Sequence, residues 1–148
     1  MWIEGVRFLI QVNYIAVVAA GIASMILGFL WYSPYVLGKQ WMKEKGLTAE
    51  KLKSDQKEMG MLYGISFVVS LVMAYVLSHV MALSQNFYAY PAVQTGLTSA
   101  FFMWIGFMMP VQVTGTIFSD NKNWKLFGID TGYQLVSVLA MGVVLGLL

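Results

Sequence analysis

Residues 13–37 read NYIAVVAAGIASMILGFLWYSPYVL, a run with no Asp, Glu, Lys or Arg. A helix that crosses a bilayer needs about 20 mostly apolar residues, so this run is long enough to cross once. The chain is free of these charged residues again over 59–119 and from residue 131 onward. The middle run is long enough for two crossings, divided at residues 84–91, where SQNFYAYP combines helix-breaking and interfacial residues.

The charge-free runs predict four membrane-spanning helices in a single transmembrane domain that covers residues 1–148. The predicted spans are 13–37, 59–83, 92–118 and 125–148, with a cytoplasmic loop at 38–58. Helices joined by short loops pack antiparallel to their neighbours in sequence. The sequence therefore predicts an all-α integral membrane protein, a four-transmembrane-helix bundle with short loops.

The composition excludes several classes of protein. Hydrophobic residues make up 59% and charged residues 11% of the 148 residues, and the mean hydropathy is +0.70. A soluble domain is usually about a quarter charged. A net charge of +2 is not typical of a nucleic-acid partner. With no cysteine and a single histidine, His79, we expect no metal site and no cofactor, and the expected partner is the lipid bilayer.

The lysines predict how the chain is oriented. Arg7 is the one basic residue on the other side of the membrane. Eight lysines follow the first and third predicted spans: Lys39, Lys43, Lys45, Lys51, Lys53, Lys57, Lys122 and Lys125. Positively charged loops remain in the cytoplasm, so both termini are predicted to lie outside. Thr48 can cap a short helix near residues 49–57 of the first lysine-rich loop.

Small residues recur at four-residue spacing in the first run, at Ala16, Ala20, Ser24 and Gly28. Helices in lipid associate through small residues, so this stripe predicts a helix contact rather than a pore lining. Similar stripes in the second and fourth predicted spans predict a tightly packed bundle. They also favour a homo-oligomer or a complex with a partner membrane subunit.

The two halves of the chain share an order of short motifs. Glycine-phenylalanine, proline and tryptophan occur at Gly28-Phe29, Pro34 and Trp41, and again at Gly106-Phe107, Pro110 and Trp124. Either the chain is a parallel repeat of two helices plus two, or the matches arose by chance in an apolar sequence.

Pro110 lies inside the third predicted span, where its ring frees the carbonyl of Gly106. The residues after it are helix-poor and include Gln112 and Thr114. We predict a loss or strong bend of the helix, with these side chains facing protein or water. The alternative is a kinked helix that threonine and glutamine side chains repair.

Asp130 is the one acidic residue that falls within a predicted span. An intramembrane carboxylate is a candidate functional group. The alternative is a structural role at the start of the fourth helix, where the dipole favours an anion and Lys125 or Lys39 could pair with it.

Several blocks of the sequence resemble a bacterial membrane family catalogued as domain of unknown function 1761. They are residues 13–17 (NYIAV), 28–34 (GFLWYSP), 38–41 (GKQW), 46–48 (GLT) and 124–133 (WKLFGIDTGY), with Gly142 after them. The block Trp31-Tyr32-Ser33-Pro34 with Trp41 downstream is the most specific. The resemblance implies four spans and a bacterial cytoplasmic membrane. It implies no activity and no catalytic residue, and it adds Trp124 and Tyr133 to the candidate positions.

Three functions remain open. The first is a non-enzymatic subunit that self-assembles or serves a larger membrane complex, and the second is a transporter or channel for a small neutral or weakly polar solute. The third, a membrane enzyme acting on lipid or quinone, lacks a recognisable pair of nucleophile and base. We predict a protein that is not an enzyme and rank the first function ahead of the second. A wet cavity that reaches Gln112 would favour transport over assembly.

Overall fold

The computed structural model describes residues 10–148, which form helices and no β-strand. The elements are α1 (Tyr14–Trp31), α2 (Gly38–Lys45), α3 (Ala49–Ser54), α4 (Gln56–Tyr88), α5 (Ala92–Met103), a π-helical turn (Trp104–Met108), α6 (Met109–Ile117) and α7 (Trp124–Leu147). Four helical stretches are long and apolar enough to cross a membrane: α1, α4, α7 and the third span, Ala92–Ile117. The predicted fold class, an all-α membrane protein with four spanning helices, is confirmed. Arg7 lies outside the described residues.

The first helix ends at Trp31, well before the end predicted from hydropathy. Pro34 cannot donate a backbone hydrogen bond, and it disfavours helical geometry at Ser33. The chain then closes a tight turn in which the amide of Gly38 donates to the carbonyl of Ser33 at 2.9 Å. A Cβ at Gly38 would lie 2.2 Å from the carbonyl oxygen of Tyr32, so only glycine fits. The turn therefore starts α2 directly against the end of α1.

The loop at 38–58 contains two short helices. The predicted capped helix is confirmed as α3, where the hydroxyl oxygen of Thr48 accepts a hydrogen bond from the amide of Lys51 at 3.3 Å. The helix α2 was not predicted. It ends at Gly46, whose φ of 66° is a left-handed conformation that glycine adopts without strain.

The second spanning helix, α4, is longer than its apolar run. It begins at Gln56 and continues through residues 84–88, where the sequence predicted a break. Serine and asparagine are tolerated in a helix, so the chain turns only at Ala89, in a left-handed conformation with φ 53°, and at Pro91. The connection to α5 is correspondingly short.

The four spans form a ring in which α7 contacts α1 and α5, and α4 completes the ring by contacting the same two helices. We call the end that carries α2, α3 and residues 118–123 the lysine-rich end. The buried core lies in the other half of the bundle and comprises Val17, Ala20, Ala74, Leu77, Met81, Ala100, Val138 and Met141. The helix α6, at the lysine-rich end, contains no buried residue. The hydrophobic core is therefore concentrated in the half of the bundle away from the lysine-rich end.

Glycines bring α5 and α7 into backbone contact. A Cβ at Gly96 would lie 2.1 Å from the carbonyl oxygen of Gly142, and a Cβ at Gly146 would lie 2.7 Å from the Cα of Val93. Small residues allow this approach, which maximises van der Waals contact in lipid.

The small-residue stripe of α1 faces the inside of the bundle. Ala16, Ala20 and Ser24 are buried, and the hydroxyls of Ser24 and Ser137 share a hydrogen bond of 2.7 Å. A Cβ at Gly28 would lie 3.0 Å from the hydroxyl oxygen of Tyr133. The stripe thus packs within this chain, mainly against α7 and α4.

The third span is helical from Ala92 to Ile117, so of the two outcomes predicted at Pro110, a loss or a strong bend of the helix, the loss is wrong. Regular α geometry gives way to a π turn just before the proline, where the amide of Met109 donates to the carbonyl of Trp104, five residues back. A widened turn accommodates a proline ring that an α-helix cannot accept. Pro34 ends its helix and Pro110 does not, so the two halves differ here and the repeat stays a prediction.

Candidate functional site

The carboxylate of Asp130 lies at the junction of three helices near the lysine-rich end. Its oxygen Oδ1 accepts hydrogen bonds from the hydroxyl of Tyr32 at 2.8 Å and from the indole nitrogen of Trp41 at 3.1 Å. Tyr32 caps α1, Trp41 is on α2 and Asp130 is on α7. Both donors are neutral side chains, so the carboxylate does not form the predicted pair with Lys125 or Lys39.

Aromatic rings surround these hydrogen bonds. The ring of Tyr32 meets the rings of Trp41 and Tyr133 edge to face, at centroid distances of 5.3 Å and 5.2 Å. The hydroxyl of Tyr133 donates to the carbonyl of Ser24 at 3.3 Å, and the ammonium of Lys45 lies 4.6 Å above the ring of Trp41. Packing and hydrogen bonds together hold the Tyr32 ring in one orientation.

Two tryptophans hold the backbone on either side of Asp130. The indole of Trp31 donates to the carbonyl of Ile129 at 3.1 Å, and that of Trp104 donates to the carbonyl of Thr131 at 3.2 Å. The donors come from α1 and from the third span. One turn of α7 is therefore fixed by two neighbouring spans.

The amide of Gln112 contacts α7 rather than lipid, because its side-chain oxygen accepts a hydrogen bond from the hydroxyl of Thr131. The hydroxyls of Thr114 and Thr116 instead donate to backbone carbonyls of their own helix, each at 2.9 Å. This repairs the polar stretch in the way that intramembrane threonines usually do.

A polar cavity of about 460 Å³ lies between α6 and α7 at the lysine-rich end. Its walls carry the amides of Gln112, Gln134 and Asn121, the hydroxyl of Thr116 and the carboxylate of Asp130. The cavity therefore reaches Gln112, and it presents both donors and acceptors of hydrogen bonds. We refer to it as the polar cavity.

An apolar cavity of about 460 Å³ lies on the other side of Tyr32, between α1, α4 and the lysine-rich loop. Met25, Phe29 and Leu52 are among its lining residues. Tyr32 and Tyr133 line both cavities, so these two rings form the wall between them.

The structure gathers five of the candidate residues at one place: Trp31, Tyr32, Trp41, Asp130 and Tyr133. Ser33 and Pro34 line the apolar cavity, Gln112 lines the polar cavity, and Pro110 and Thr114 are exposed on α6. Trp124 lies apart from the cluster. Its side chain is 52% exposed and packs against Phe127 at 5.4 Å.

Sequence reasoning missed Trp104 and Thr131. Trp104 is a lone indole in the middle of an apolar span, and Thr131 follows the one intramembrane carboxylate. An indole N–H inside a membrane span needs a hydrogen-bond acceptor, so Trp104 could have indicated a polar contact with a neighbouring helix. In the part of the chain that the structure describes, no three or more His, Cys, Asp or Glu side chains form a group that could hold a metal ion.

Comparisons with known proteins give a family and nothing more specific. No curated protein and no solved structure matches the chain. One family model matches residues 15–146, which include every contact of the Asp130 cluster. The chain belongs to the family described as "Protein of unknown function (DUF1761)".

Proposed function

We propose that this multi-pass membrane protein binds a small polar solute in the polar cavity and carries it across the membrane without changing it chemically. The observation that carries the proposal is the reach of the polar cavity to Gln112. Assembly alone requires no such cavity. The transport function, ranked second from the sequence, therefore has the stronger support.

The lining of the polar cavity favours a hydrated binding site. Amide and hydroxyl groups that face hydrocarbon without a hydrogen-bond partner are costly, by several kcal/mol on scales where no partner is present. The amide of Gln134, on α7, lines this cavity. Water or a polar solute in the cavity satisfies such groups.

The distribution of packing supports a carrier rather than an open channel. The polar cavity lies at the lysine-rich end, while the hydrophobic core, which includes Ala100 and Met141, fills the other half of the bundle. Carriers that work by alternating access are open at one end at a time. The present conformation corresponds to the state that is open toward the lysine-rich end.

Solute uptake into liposomes tests the proposal. The purified protein is reconstituted, and swelling is followed by stopped-flow light scattering with glycerol, butane-1,4-diol and 4-aminobutan-1-ol. We expect at least one solute to enter faster than it enters protein-free liposomes. If all three enter at the protein-free rate, the proposal is wrong.

Two glycine variants provide a matched comparison for the uptake assay. A Cβ can be added at Gly115 and at Gly128 without a clash, since no atom lies within 4 Å of it at either position. Gly115 lines the polar cavity and Gly128 does not. Gly115→Leu should therefore lower uptake to the protein-free rate, and Gly128→Leu should leave it unchanged.

Self-association is a second candidate function, favoured by the surface of α4. Gly60 and Gly64 are exposed, lie one turn apart in a GxxxG pattern, and would each meet nothing within 4 Å of an added Cβ. Such pairs allow helices of two chains to approach closely. A mass measurement in lipid nanodiscs should then show an oligomer that Gly64→Leu dissociates and Gly106→Leu, at another exposed glycine, does not.

A further inference from the structure

Within residues 10–148, the hydrogen bonds to Asp130 all reach one oxygen of its carboxylate. Tyr32 and Trp41 both donate to Oδ1, and Oδ2 accepts from neither. Both donors are neutral. These two hydrogen bonds therefore bring no opposite charge to the carboxylate, and the nearby ammonium of Lys45 lies over the ring of Trp41 instead.

The second oxygen, Oδ2, accepts no hydrogen bond from residues 10–148, and its residue lines the polar cavity. In the described part of the chain, every buried side-chain oxygen or nitrogen has a hydrogen-bond partner. An oxygen without a partner must then be accessible, and Asp130 lines the polar cavity but not the apolar one. A residue with an open acceptor thus lines a space large enough for a small molecule.

The charge of this oxygen is not balanced by the walls of the cavity. Among the described residues that line it, Asp130 is the only Asp, Glu, Lys, Arg or His, while the remaining polar groups are amides and hydroxyls such as Gln134 and Thr116. A carboxylate close to the membrane interior without a counter-ion is unfavourable. A cation that enters the cavity would supply the missing charge.

We propose that the polar cavity binds a primary ammonium group, with Asp130 as its counter-ion. An ammonium has three donors and no acceptor, which suits Oδ2 together with the amide and hydroxyl oxygens nearby. The rings of Tyr133 and Phe127 line the same space and can stabilise a cation through their faces. The inference rests on the proposed function, since it assigns a chemical class to the solute of the same cavity.

Calorimetric titration of the full chain in detergent tests the assignment. The probes are 4-aminobutan-1-ol and butane-1,4-diol, which have similar length and differ in the ammonium group. We expect the amine to bind at least tenfold more tightly than the diol. Asp130→Asn should remove this preference, and Asp120→Asn, at an exposed carboxylate outside the cavity, should leave it intact.

The variants keep the test decisive. An asparagine at position 130 can still accept hydrogen bonds from Tyr32 and Trp41, and an unchanged melting temperature verifies the fold. Should that variant unfold, Gly115→Leu adds a bulky side chain to the cavity lining at a position where a Cβ meets no atom, and it must abolish binding of the amine. Amine binding that survives this substitution overturns the proposal.

The remaining outcomes separate the class of solute from the proposed function. Equal binding of amine and diol overturns the assignment of an ammonium and leaves a cavity for neutral solutes. Absence of amine binding also overturns the assignment, whereas the uptake of glycerol or diol into liposomes decides transport independently.

Discussion

Asp130 receives its two hydrogen bonds from different helices, so either donor can be removed without the other. Tyr32→Phe deletes the shorter bond and keeps the ring packed between Trp41 and Tyr133. A hydrogen bond to a charged group contributes about 1.5–3 kcal/mol, and the partial exposure of the site favours the lower value. We expect the free energy of unfolding in mixed micelles to fall by about 1.5 kcal/mol.

The matched control is Tyr35→Phe, three residues along the chain, because the side chain of Tyr35 is 96% exposed. Loss of the Tyr35 hydroxyl should change the free energy of unfolding by less than about 0.5 kcal/mol, as is usual for substitutions at the surface. If Tyr32→Phe lowers the free energy of unfolding no more than Tyr35→Phe does, the Tyr32 hydroxyl contributes nothing to stability.

Individual residues were only partly predictable from the sequence. The block around Trp31 and Tyr32 and the isolated Asp130 were recognisable, because aromatic side chains near a helix end and a carboxylate in an apolar run are unusual. The hydrogen bond from Trp41 to Asp130 was not predictable. It depends on the turn at Gly38, which brings Trp41 back to the carboxylate, and no spacing along the chain reveals that turn.

Among the helices, the third span depends most directly on one residue. Pro110 lacks the amide hydrogen that would otherwise bond to Gly106, and the π turn at Trp104–Met108 precedes it. In Pro110→Ala, we expect the turn to revert to α geometry, which rotates Trp104 relative to α6. The side chains of Gln112 and Thr131 would then separate.

Introduced cysteine pairs can report on this rotation without competing reactions, since the natural chain contains no cysteine. Gln112→Cys with Thr131→Cys should be cross-linked readily by a short bifunctional thiol reagent in the parent background and poorly in Pro110→Ala. Equal cross-linking in both backgrounds would show that the proline does not maintain the π turn.

The contact between α5 and α7 should tolerate no side chain at its centre. Gly96→Ala places a Cβ 2.1 Å from the carbonyl oxygen of Gly142, so the two backbones must move apart. Overpacking of this kind costs about 1–3 kcal/mol. Thermal unfolding should detect that loss, whereas Gly106→Ala, with open space around it, should be neutral or stabilising.

The start of a helix was predictable from the sequence where a residue next to it breaks or caps the helix. Pro91 precedes α5 and Asn123 caps α7 through the amide of Leu126, so those starts lie close to the predicted ones. The other limits depend on context. The apolar run after Trp31 leaves the helix because of Pro34, and the polar residues 84–88 stay in α4 because nothing there forbids helical geometry.

For the whole molecule, orientation is the prediction that the helices themselves do not determine. The excess of lysine predicts that the lysine-rich end faces the cytoplasm of a bacterial cell. Ser54→Cys lies at that end and Asn86→Cys at the opposite end. A membrane-impermeant maleimide should label the second in intact cells and the first only after permeabilisation. The reverse pattern would invert the proposed topology.

The early end of α1 limits the bilayer thickness that suits the protein. Its 18 residues extend about 27 Å, while the hydrocarbon core of a typical bilayer is about 30 Å thick. The 33-residue α4 can tilt to match thicker lipid, but α1 cannot lengthen, because Asn13 caps one end and the turn at Pro34 closes the other. Melting temperatures in nanodiscs should therefore fall from dimyristoyl to dierucoyl phosphatidylcholine, with Tyr32 and Asp130 losing contact first as the acyl chains lengthen.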